Sequence, residues 1–598
     1  MRRFFLKLTE LWEKSIIYRV FVRKYKRYFI FGTVSLIAVD IINIFPPLII
    51  KKVVDILSQN PNIGKIAVFS GLFILVTFLQ GVFRYLWRMN FIGTSFYCEY
   101  DLRMAFFGHI EALSQNFFQK YKTGDLMSRA TNDMGAIRGA VGLGLLIGLD
   151  ALFYFVMVPP IIIYLSPKLS LYTFLLMPLT PFIAYKIRNV IDKRFRSVQE
   201  QFSRICEKVQ ENLSGVRIVK SYNMSRQEEK ILMGLSKDYV KKNLSLVIPQ
   251  SLLGPVFEYI TFMGIIILLF MGGNMVLTGA ITLGTLVAFQ RYISMMVWPM
   301  TAVGWCLSVM QRGNASMKRI DEVMDQRSEI VVRKDAIRNF IPQGEIEFRD
   351  VHFRYDKNSE EVLRGISLKI LAGHRVAIVG PIGSGKSTLV NMIPRIVPMK
   401  DGGLFIDGID VNAVDIRVLR RHVGFVPQDA FLFSEKIKDN LLFGVKPEEA
   451  GNHEGTDEQM YMQRLASMAG VNEEIQELPH KYENYLGERG VNLSGGQKQR
   501  ITIARALAIE PKIIILDDCL SAVDARVEDI IMKNILKNYP GSTLLAVTHR
   551  LPAVKDFDMI VVMKDGSIVE KGTHKQLIAN NGLYMSLYTK EALEEKLE

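Results

Sequence analysis

A glycine-rich run at residues 380–388 fits the pattern G-x-x-x-x-G-K-[ST] of a phosphate-binding loop. Its glycines let the backbone curl until several N–H groups point at one anion, and Lys386 adds a charge for the β- and γ-phosphates. The hydroxyl of Ser387 can hold Mg²⁺. A strand pattern precedes the loop and a helical pattern follows it, so the phosphates face a helix N-terminus. The loop residues predicted to contact a nucleotide are Gly380, Gly383, Ser384, Gly385, Lys386, Ser387 and Thr388.

Polar residues also end two other apolar runs of the same half of the chain. Asp517 and Asp518 end the run 512–516, where the first is placed to hold Mg²⁺ through water and the second to face the attacking water. His549 ends the run 544–548. A lone histidine is usually a packing residue, but at a strand end beside the phosphates a γ-phosphate contact is the better interpretation.

Two more features fit a nucleotide site but are weaker alone. Tyr355 lies in a strand pattern before the loop and can stack on adenine, although one tyrosine in a strand usually belongs to the core. The turn Leu493–Ser494–Gly495–Gly496–Gln497 opens a helical pattern, so its free backbone N–H groups make a second anion site. Taken alone, that turn could be an ordinary helix cap.

The composition divides the chain into two halves. Long apolar runs recur up to about residue 320, and beyond about 343 the pattern is that of an α/β domain. A net charge of +14 fits nucleic acid or membrane, but the excess lies at the N-terminus and beside the apolar runs, which favours a lipid bilayer and no nucleic acid. No C-x-x-C pair occurs, so free buried thiols in a reducing compartment are predicted for Cys98, Cys206, Cys306 and Cys519.

Several apolar segments are long enough to span a bilayer, which takes about 20 residues. The predicted spans are 28–50, 66–88, 139–163, 169–187, 249–273 and 281–309. Lysine and arginine crowd the stretch before the first span, whereas the outer loops carry little beyond Lys65 and Lys168. The positive-inside rule therefore places both termini and the nucleotide domain in the cytoplasm, in a multi-pass protein of the cytoplasmic (inner) membrane. Residues 4–16 have the pattern of an amphipathic helix on the membrane surface.

Charged residues fall near the middle of four predicted spans. They are Asp40, Asp150, Glu258 and Arg291. Charges inside a membrane are costly, so each is a functional hypothesis. One interpretation is that they pair with one another, Arg291 with one of the carboxylates, and hold helices together. The other is a water-filled, net acidic cavity for a cationic or zwitterionic amphipathic substrate.

Two long charged segments, 89–138 and 188–248, connect spans on the cytoplasmic side. They are too long for simple turns, so the spans are expected to continue as helices into the cytoplasm. Their tips, at 117–126 and 215–222, have the composition of short elements that dock on another domain.

The set of motifs resembles an ATP-binding cassette (ABC) exporter half-transporter of the multidrug or lipid type over essentially the whole chain. The resemblance implies an α-helical membrane domain of six spans followed by an α/β P-loop cassette: residues 1–325, a linker 326–342 and residues 343–598. Five positions carry the cassette motifs. Tyr355 resembles the A-loop, 380–388 the Walker A loop, 493–497 the signature loop, Asp517 the Walker B carboxylate and His549 the switch histidine.

Further positions match the family's coupling motifs. Gln428 resembles the Q-loop glutamine that senses Mg²⁺ and the membrane domain, and Ser521–Asp524 resembles the D-loop. Gly487–Gly490 sits where such exporters touch their coupling helices, which 121–125 and 215–219 resemble. The resemblance implies ATP and Mg²⁺ as cofactors. It also implies dimerisation, because ATP binds between two cassettes and the signature loop of one covers the phosphates held by the other.

Asp518 departs from the family, which usually has glutamate there. Aspartate is one methylene shorter, so its carboxylate retreats on the order of 1 Å from the attacking water, and such displacements can slow a reaction roughly 100-fold. In this respect the chain resembles the degenerate half of heterodimeric exporters, whose competent site takes glutamate from the partner. A heterodimer with a second half-transporter is predicted; a homodimer with two weakened sites is the alternative.

The expected function is ATP-driven export or flipping of a small amphipathic molecule, drug or lipid by alternating access. Asp518, His549 and Gln428 are the expected catalytic residues, Ser387, Gln428 and Asp517 the magnesium residues, and Asp524 the D-loop carboxylate. Two alternatives stay open: a homodimeric lipid flippase, and a non-transporting, ATP-gated membrane regulator or channel.

Overall fold

A computed structural model describes residues 24–59, 61–174, 179–356, 359–399, 401–445, 458–487 and 490–594. Contacts divide the chain into two compact units, which we call the helical unit (Met1–Glu111 with Gly124–Gln326) and the α/β unit (Ala112–Thr123 with Arg327–Glu598). The predicted surface helix at 4–16 lies outside the described residues, as do two residues of the predicted segment Gly487–Gly490.

Long apolar helices dominate the first part of the chain. The described helices there are α1 (Lys26–Gln59), α2 (Ile63–Glu111), α3 (Gln115–Lys120), α4 (Thr123–Leu165), α5 (Pro167–Phe174), α6 (Leu179–Ser214), α7 (Val216–Ser221), α8 (Ser225–Leu277) and α9 (Leu283–Met324). By length and composition α1, α2, α4, α8 and α9 can cross a membrane. The remaining predicted span, 169–187, includes residues 175–178, which are not described.

Small residues let α4 and α9 approach closely. A Cβ on Gly313 would collide with that of Ala140, and one on Gly144 would lie 3.2 Å from Val309. The thiol of Cys306 donates to the carbonyl of Gly144 over 3.2 Å. Close backbone packing of this kind stabilises helix pairs in lipid, where apolar side chains gain nothing by leaving the solvent.

The predicted docking tips differ in their surroundings. Helix α3 belongs to the α/β unit, where Lys120 Nζ lies 3.1 Å from Asp356 Oδ1 and the Asn116 amide donates to Glu329 Oε2 over 2.9 Å. The ring of Phe117 is buried and stacks on Tyr121 with 4.6 Å between centroids. Helix α7 belongs to the helical unit.

Two sheets form the framework of the α/β unit. The strands are β1 (Ile346–Phe353), β2 (Leu363–Ile370), β3 (Arg375–Val379), β4 (Asp401–Ile406), β5 (Ile409–Asp410), β6 (Val423–Val426), β7 (Ile513–Asp517), β8 (Thr543–Val547), β9 (Met559–Lys564) and β10 (Ser567–Gly572). The first sheet is antiparallel in the order β2-β1-β4-β5. The second has the order β10-β9-β3-β8-β7-β6 and is parallel except for the hairpin β9–β10.

Helices cover the parallel sheet, as its apolar strands require. The described α-helices of this part of the chain are α10 (Lys386–Met392), α11 (Ile416–Arg421), α12 (Ile437–Leu441), α13 (Glu458–Met468), α14 (Asn472–Glu477), α15 (Gly495–Leu507), α16 (Ala525–Asn538), α17 (His574–Ala579) and α18 (Leu583–Glu594). All five residues of β7 and of β8 are buried. The two strands therefore hold whatever follows them in fixed positions.

The cysteines are free, and three of them are buried. Cys206 is exposed, so the prediction of burial is wrong there. The reason is its place on α6, a helix of 36 residues that carries a charged sequence far beyond its apolar end.

Candidate functional site

The phosphate-binding loop joins the end of β3 to the start of α10. Strand β3 lies between β8 and β9 and runs parallel to both, so the carboxyl ends of these strands share one edge. Ligands of open α/β sheets bind at that edge. Gly380, Gly383 and Gly385 have φ angles of 148°, 82° and 94°. Side chains rarely adopt these angles, which accounts for glycine at each position.

Two of these glycines also have no room for a side chain. A Cβ on Gly380 would collide with the carbonyl oxygen of Met563 in β9. One on Gly385 would lie 2.9 Å from Val362 O and Leu363 Cδ2. The loop is therefore clamped between two strands as well as curled by its own glycines.

Lys386 is folded into the loop. Its ammonium donates to the carbonyls of Gly380 and Pro381, each over 2.8 Å, and its side chain is buried. Burial lowers the pKa of Lys386, and the charges of Asp518 and Asp517 oppose this shift. A cation held among phosphate-loop carbonyls and facing two carboxylates is well placed to bind phosphate oxygens.

Ser387 and Asp517 meet across 130 residues of sequence. The Ser387 hydroxyl donates to Asp517 Oδ1 over 2.8 Å, and Asp517 is 3% exposed. Burial raises the pKa of Asp517, while the Ser387 hydrogen bond opposes this. A hydroxyl and one carboxylate fit Mg²⁺, which takes hard oxygen ligands and completes its shell with substrate phosphates and water.

Asp518 follows β7 and is held by its backbone. Its N–H donates to Val547 O at the end of β8 over 2.9 Å, and its φ is 47°. The side-chain amide of Gln428 donates to Asp518 Oδ2 over 3.3 Å. The predicted catalytic carboxylate and Q-loop glutamine are thus in contact.

His549 follows β8 at the same sheet edge. Partial burial lowers the pKa of its imidazole, the Lys386 ammonium lowers it further, and the charge of Asp518 opposes both. This shift favours the neutral imidazole, which can donate a hydrogen bond to a phosphate without carrying charge.

Tyr355 lies just past β1 beside the phosphate loop. Its hydroxyl lies 3.0 Å from Thr388 Oγ1, and its ring packs edge-on against Phe353 with 5.0 Å between centroids. The ring is half-buried, so one part serves the core and another part faces outward. The sequence did not indicate the contact with Thr388, which ties the tyrosine to the nucleotide loop.

The signature turn caps helix α15. Ser494 Oγ accepts the N–H of Gln497 over 3.2 Å, and Gln497 Oε1 accepts the N–H of Ser494 over 2.9 Å, a capping box. Ser494 and Gly495 are exposed. In the described part of the chain no hydrogen bond joins this turn to the phosphate loop.

Arg550 is a residue that the sequence did not single out. It follows His549, and its guanidinium donates to Val523 O over 2.7 Å and Ser521 O over 3.2 Å in the D-loop. It also pairs with the buried carboxylate of Glu528 at 2.7 Å. Asp524 instead caps α16, where it accepts the N–H of Val527 over 3.0 Å. The contacts of Arg550 reach D-loop and helix residues 22 to 29 positions away in the sequence, and no local pattern could have indicated them.

Two of the predicted intramembrane charges meet in the described part of the helical unit. Asp40 of α1 and Asp150 of α4 face each other, and the charge that acts on both is that of Arg84 in α2. Arg291 and Glu258 are exposed. The charged residue that acts on Asp40 and Asp150 is thus Arg84, and the pairing of Arg291 with a carboxylate stays a prediction. The rotation of a helix about its axis decides which charge acts on the two carboxylates, and hydropathy does not predict that rotation.

Comparisons with known proteins agree with this arrangement. The profile of the ABC transporter transmembrane region matches residues 29–300, and that of the ABC transporter cassette matches residues 363–521. A probable multidrug resistance ABC transporter ATP-binding/permease protein of Bacillus subtilis is 34% identical and covers 96% of this chain and 97% of its own length. The chain belongs to the ABC transporter family.

Other similar proteins carry different functional names. The multidrug resistance-like ATP-binding protein MdlA of Escherichia coli is 32% identical over 97% of this chain and 96% of its own. An ATP-dependent lipid A-core flippase of Desulfotalea psychrophila is 32% identical over 90% of this chain and 92% of its own. A bacterial Atm1-family ABC exporter solved with ATP bound shares the fold, with a TM-score of 0.75 at 24% identity over 95% of this chain and 98% of that one.

The predicted fold, a helical membrane domain followed by an α/β P-loop cassette, is confirmed. This ABC transporter is a multi-pass membrane protein that binds nucleotide and couples ATP hydrolysis to transport. The roles of the individual site residues stay predictions.

Proposed function

We propose that this chain is one half of a heterodimeric ABC exporter that moves an amphipathic small molecule, drug or lipid across the cytoplasmic membrane. The observation that carries the proposal is Asp518, a shortened carboxylate in an otherwise complete set of nucleotide contacts. A site that binds ATP but hydrolyses it slowly has a use beside a second, competent site. The intact signature turn at 493–497 completes that second site.

At the chain's own site each contact has a proposed role. Tyr355 stacks on adenine, Lys386 binds the β- and γ-phosphates, and His549 donates to the γ-phosphate. Ser387 and Asp517 hold Mg²⁺, which bridges phosphate oxygens and neutralises charge. The hydrogen bond between Ser387 and Asp517 supports this pairing. Gln428, in contact with Asp518, adds the amide oxygen that reports the metal to the membrane domain.

The signature turn is proposed to act on the partner's ATP. Its exposed Ser494 and Gly495 lie at the N-terminus of α15, where unsatisfied N–H groups favour an anion. Two cassettes that close on ATP in this way bind it more tightly than two open ones. ATP therefore shifts the dimer toward the closed state, and hydrolysis at the competent site returns it.

We further propose the domain boundaries 1–325, 326–342 and 343–598, with both termini and the cassette in the cytoplasm. Cys206 gives a direct test, since it is exposed on α6 and the other cysteines are buried. A membrane-impermeant maleimide should label inside-out vesicles and spare right-side-out ones, and C206S should abolish the signal. Labelling from the outer side would reverse the proposed orientation.

The names of the relatives indicate two classes of candidate substrate. Their names include multidrug export proteins and a lipid A-core flippase. We favour an amphipathic small molecule that carries positive charge, because two carboxylates meet among the helices of the membrane domain. A homodimeric lipid flippase is the second candidate, and it requires no partner chain.

The deciding experiment is purification of the full chain from its native membrane, with identification of any half-transporter that accompanies it. Inside-out vesicles that contain the pair should accumulate a cationic dye only with ATP, and vesicles with this chain alone should not. Brisk ATP-dependent accumulation by this chain alone would refute the heterodimer. Nucleotide-dependent ion conductance without accumulation would instead favour a gated channel or regulator.

A further inference from the structure

Asp40 is an unusual residue for the interior of a membrane helix bundle. Its side chain is 3% exposed, and neither of its carboxylate oxygens accepts a hydrogen bond from a protein donor. A buried ionised carboxylate without donors is very unfavourable, and more so in a bilayer. Something other than the described protein donors must therefore stabilise Asp40.

The carboxyl group of Asp150 faces Asp40 within hydrogen-bonding reach. Two carboxylates cannot hydrogen-bond unless one of them carries a proton, because an ionised carboxylate only accepts. Asp150 also accepts from the indole of Trp298 in α9. Asp150 is partly exposed, whereas Asp40 is buried. A ligand can therefore reach the pair at Asp150 and not at Asp40.

The other groups around the pair come from each packed helix. Arg84 of α2 is the charged neighbour of both carboxyls, and Tyr154 of α4 lies in range of the same charges. Asn43 of α1 donates to the Tyr154 hydroxyl over 2.8 Å, and the Gln80 amide of α2 donates to Asn43. Arg84 is exposed, and among the described groups it is the positive charge that acts on both carboxyls.

Charge balance then fixes what the pair can hold. With both carboxylates ionised, two negative charges face one guanidinium and the cluster carries one net negative charge. One proton makes the cluster neutral, and so does one bound monovalent cation. Neutral states are strongly preferred in low dielectric surroundings. The proton and the cation are therefore alternatives for the same site.

We propose that Asp40 and Asp150 form a one-proton site that exchanges its proton for the positively charged group of a lipophilic cation bound at Asp150. The cation approaches from the accessible side of Asp150, and the pair releases its proton as that charge takes its place. The identity of the cation as transported cargo rests on the proposed exporter function; the proton site itself does not. Because one proton is displaced, the apparent Kd should rise about tenfold for each unit that pH falls while the pair holds its proton.

The test uses tetraphenylphosphonium, a lipophilic cation that has no proton of its own to release. The full chain, with any partner that co-purifies, is placed in lipid nanodiscs in weakly buffered solution without ATP, so that hydrolysis contributes no protons. We expect about one proton released per cation bound, reported by a pH indicator. We also expect the infrared carbonyl band of a protonated carboxylic acid to disappear on binding.

The variants D40N and D150N should lose both the proton release and the infrared band, and D150N should bind the cation more weakly. E200Q is the matched control. It makes the same change of carboxylate to amide at Glu200, which is exposed on α6 and outside the pair. It should behave as the native chain does. If a variant does not fold, proton release and the infrared band of the native protein still decide the matter.

Three results would overturn the proposal: no binding of the cation to the native protein, binding without proton release, or unchanged release in both variants. The two proposals fail separately. ATP-driven accumulation with no proton release would remove only the proton site. Proton release with no ATP-driven accumulation would remove only the exporter function.

Discussion

Lengthening one side chain, with D518E, should speed ATP hydrolysis at the chain's own site, which we propose to be slow. The backbone of Asp518 is fixed by the end of β7 and by its N–H bond to Val547 O over 2.9 Å. An added methylene therefore extends the carboxylate outward rather than displacing the chain. The extension is on the order of 1 Å.

The magnitude follows from the placement. A 1 Å error in the position of a catalytic group can lower a rate roughly 100-fold, which is about 2.7 kcal/mol of barrier. Asp518 has φ 47°, a left-handed conformation that aspartate adopts more readily than most residues. Glutamate there destabilises the fold by on the order of 1 kcal/mol. That strain acts on folding and not on the chemical step, so the rate gain remains.

The assay must report this chain's own site. The pair is assembled with a partner whose phosphate-loop lysine is substituted, so that ATP turns over only at the site of Asp518. D518E should then raise phosphate release by one to two orders of magnitude, whereas D518N, which keeps the size and removes the charge, should lower it below the native rate. Equal turnover in D518E and native protein, with ATP binding intact, would refute the argument from geometry.

Three further substitutions test other contacts. K386A removes a charged donor worth about 1.5–3 kcal/mol, so ATP binding measured by titration calorimetry should weaken at least roughly tenfold; unchanged affinity would contradict the role of Lys386. R550M leaves the buried Glu528 unpaired and should lower the free energy of unfolding by about 3 kcal/mol in thermal melts, and R550M/E528Q should recover most of it. Burial holds the pKa of Glu528 above 4.5, so the deficit of R550M should shrink as pH falls and the carboxyl takes up a proton. S494A removes a helix cap worth about 1 kcal/mol. It should slow hydrolysis of the partner's ATP and leave ATP binding at this chain's own site unchanged. Slowed hydrolysis only at the chain's own site would contradict the proposed role of the signature turn.

The arrangement of the predicted nucleotide-binding residues could be predicted because its determinants are local. Glycine spacing sets the curl of the loop at 380–388, and each buried strand ends beside its polar residue, as with Asp517 and His549. Parallel strands share one edge, so residues that end them must meet there. The contacts of Arg550 and the bond between Tyr355 and Thr388 depend on how far each side chain extends across that edge. A sequence pattern does not show which distant residue a side chain contacts.

The membrane half was harder for a physical reason. Hydropathy gives the length of a span but neither its rotation nor its depth relative to neighbouring helices. Asp40, Asp150 and Arg291 could therefore be recognised as candidates, but the sequence did not show which of them are neighbours. Arg84 stands near the end of its predicted span, where an arginine ordinarily extends to the lipid headgroups. Only helix packing shows that its charge acts on the two carboxylates.

In the proposed heterodimer the D-loop would link the chain's own ATP site to the site that its signature turn completes for the partner. On one side Gln499 of the signature helix accepts the N–H of Ala522 over 3.2 Å, and on the other Arg550 donates to the carbonyls of Ser521 and Val523. In that dimer, a displacement of the signature helix by the partner's ATP would be passed through these bonds to Arg550, the residue that follows His549. These bonds do not involve the Asp518 carboxylate. We infer that the shortened carboxylate slows hydrolysis without breaking communication between the two sites, and that R550M/E528Q, although stable, should lose the dependence of one site on nucleotide at the other.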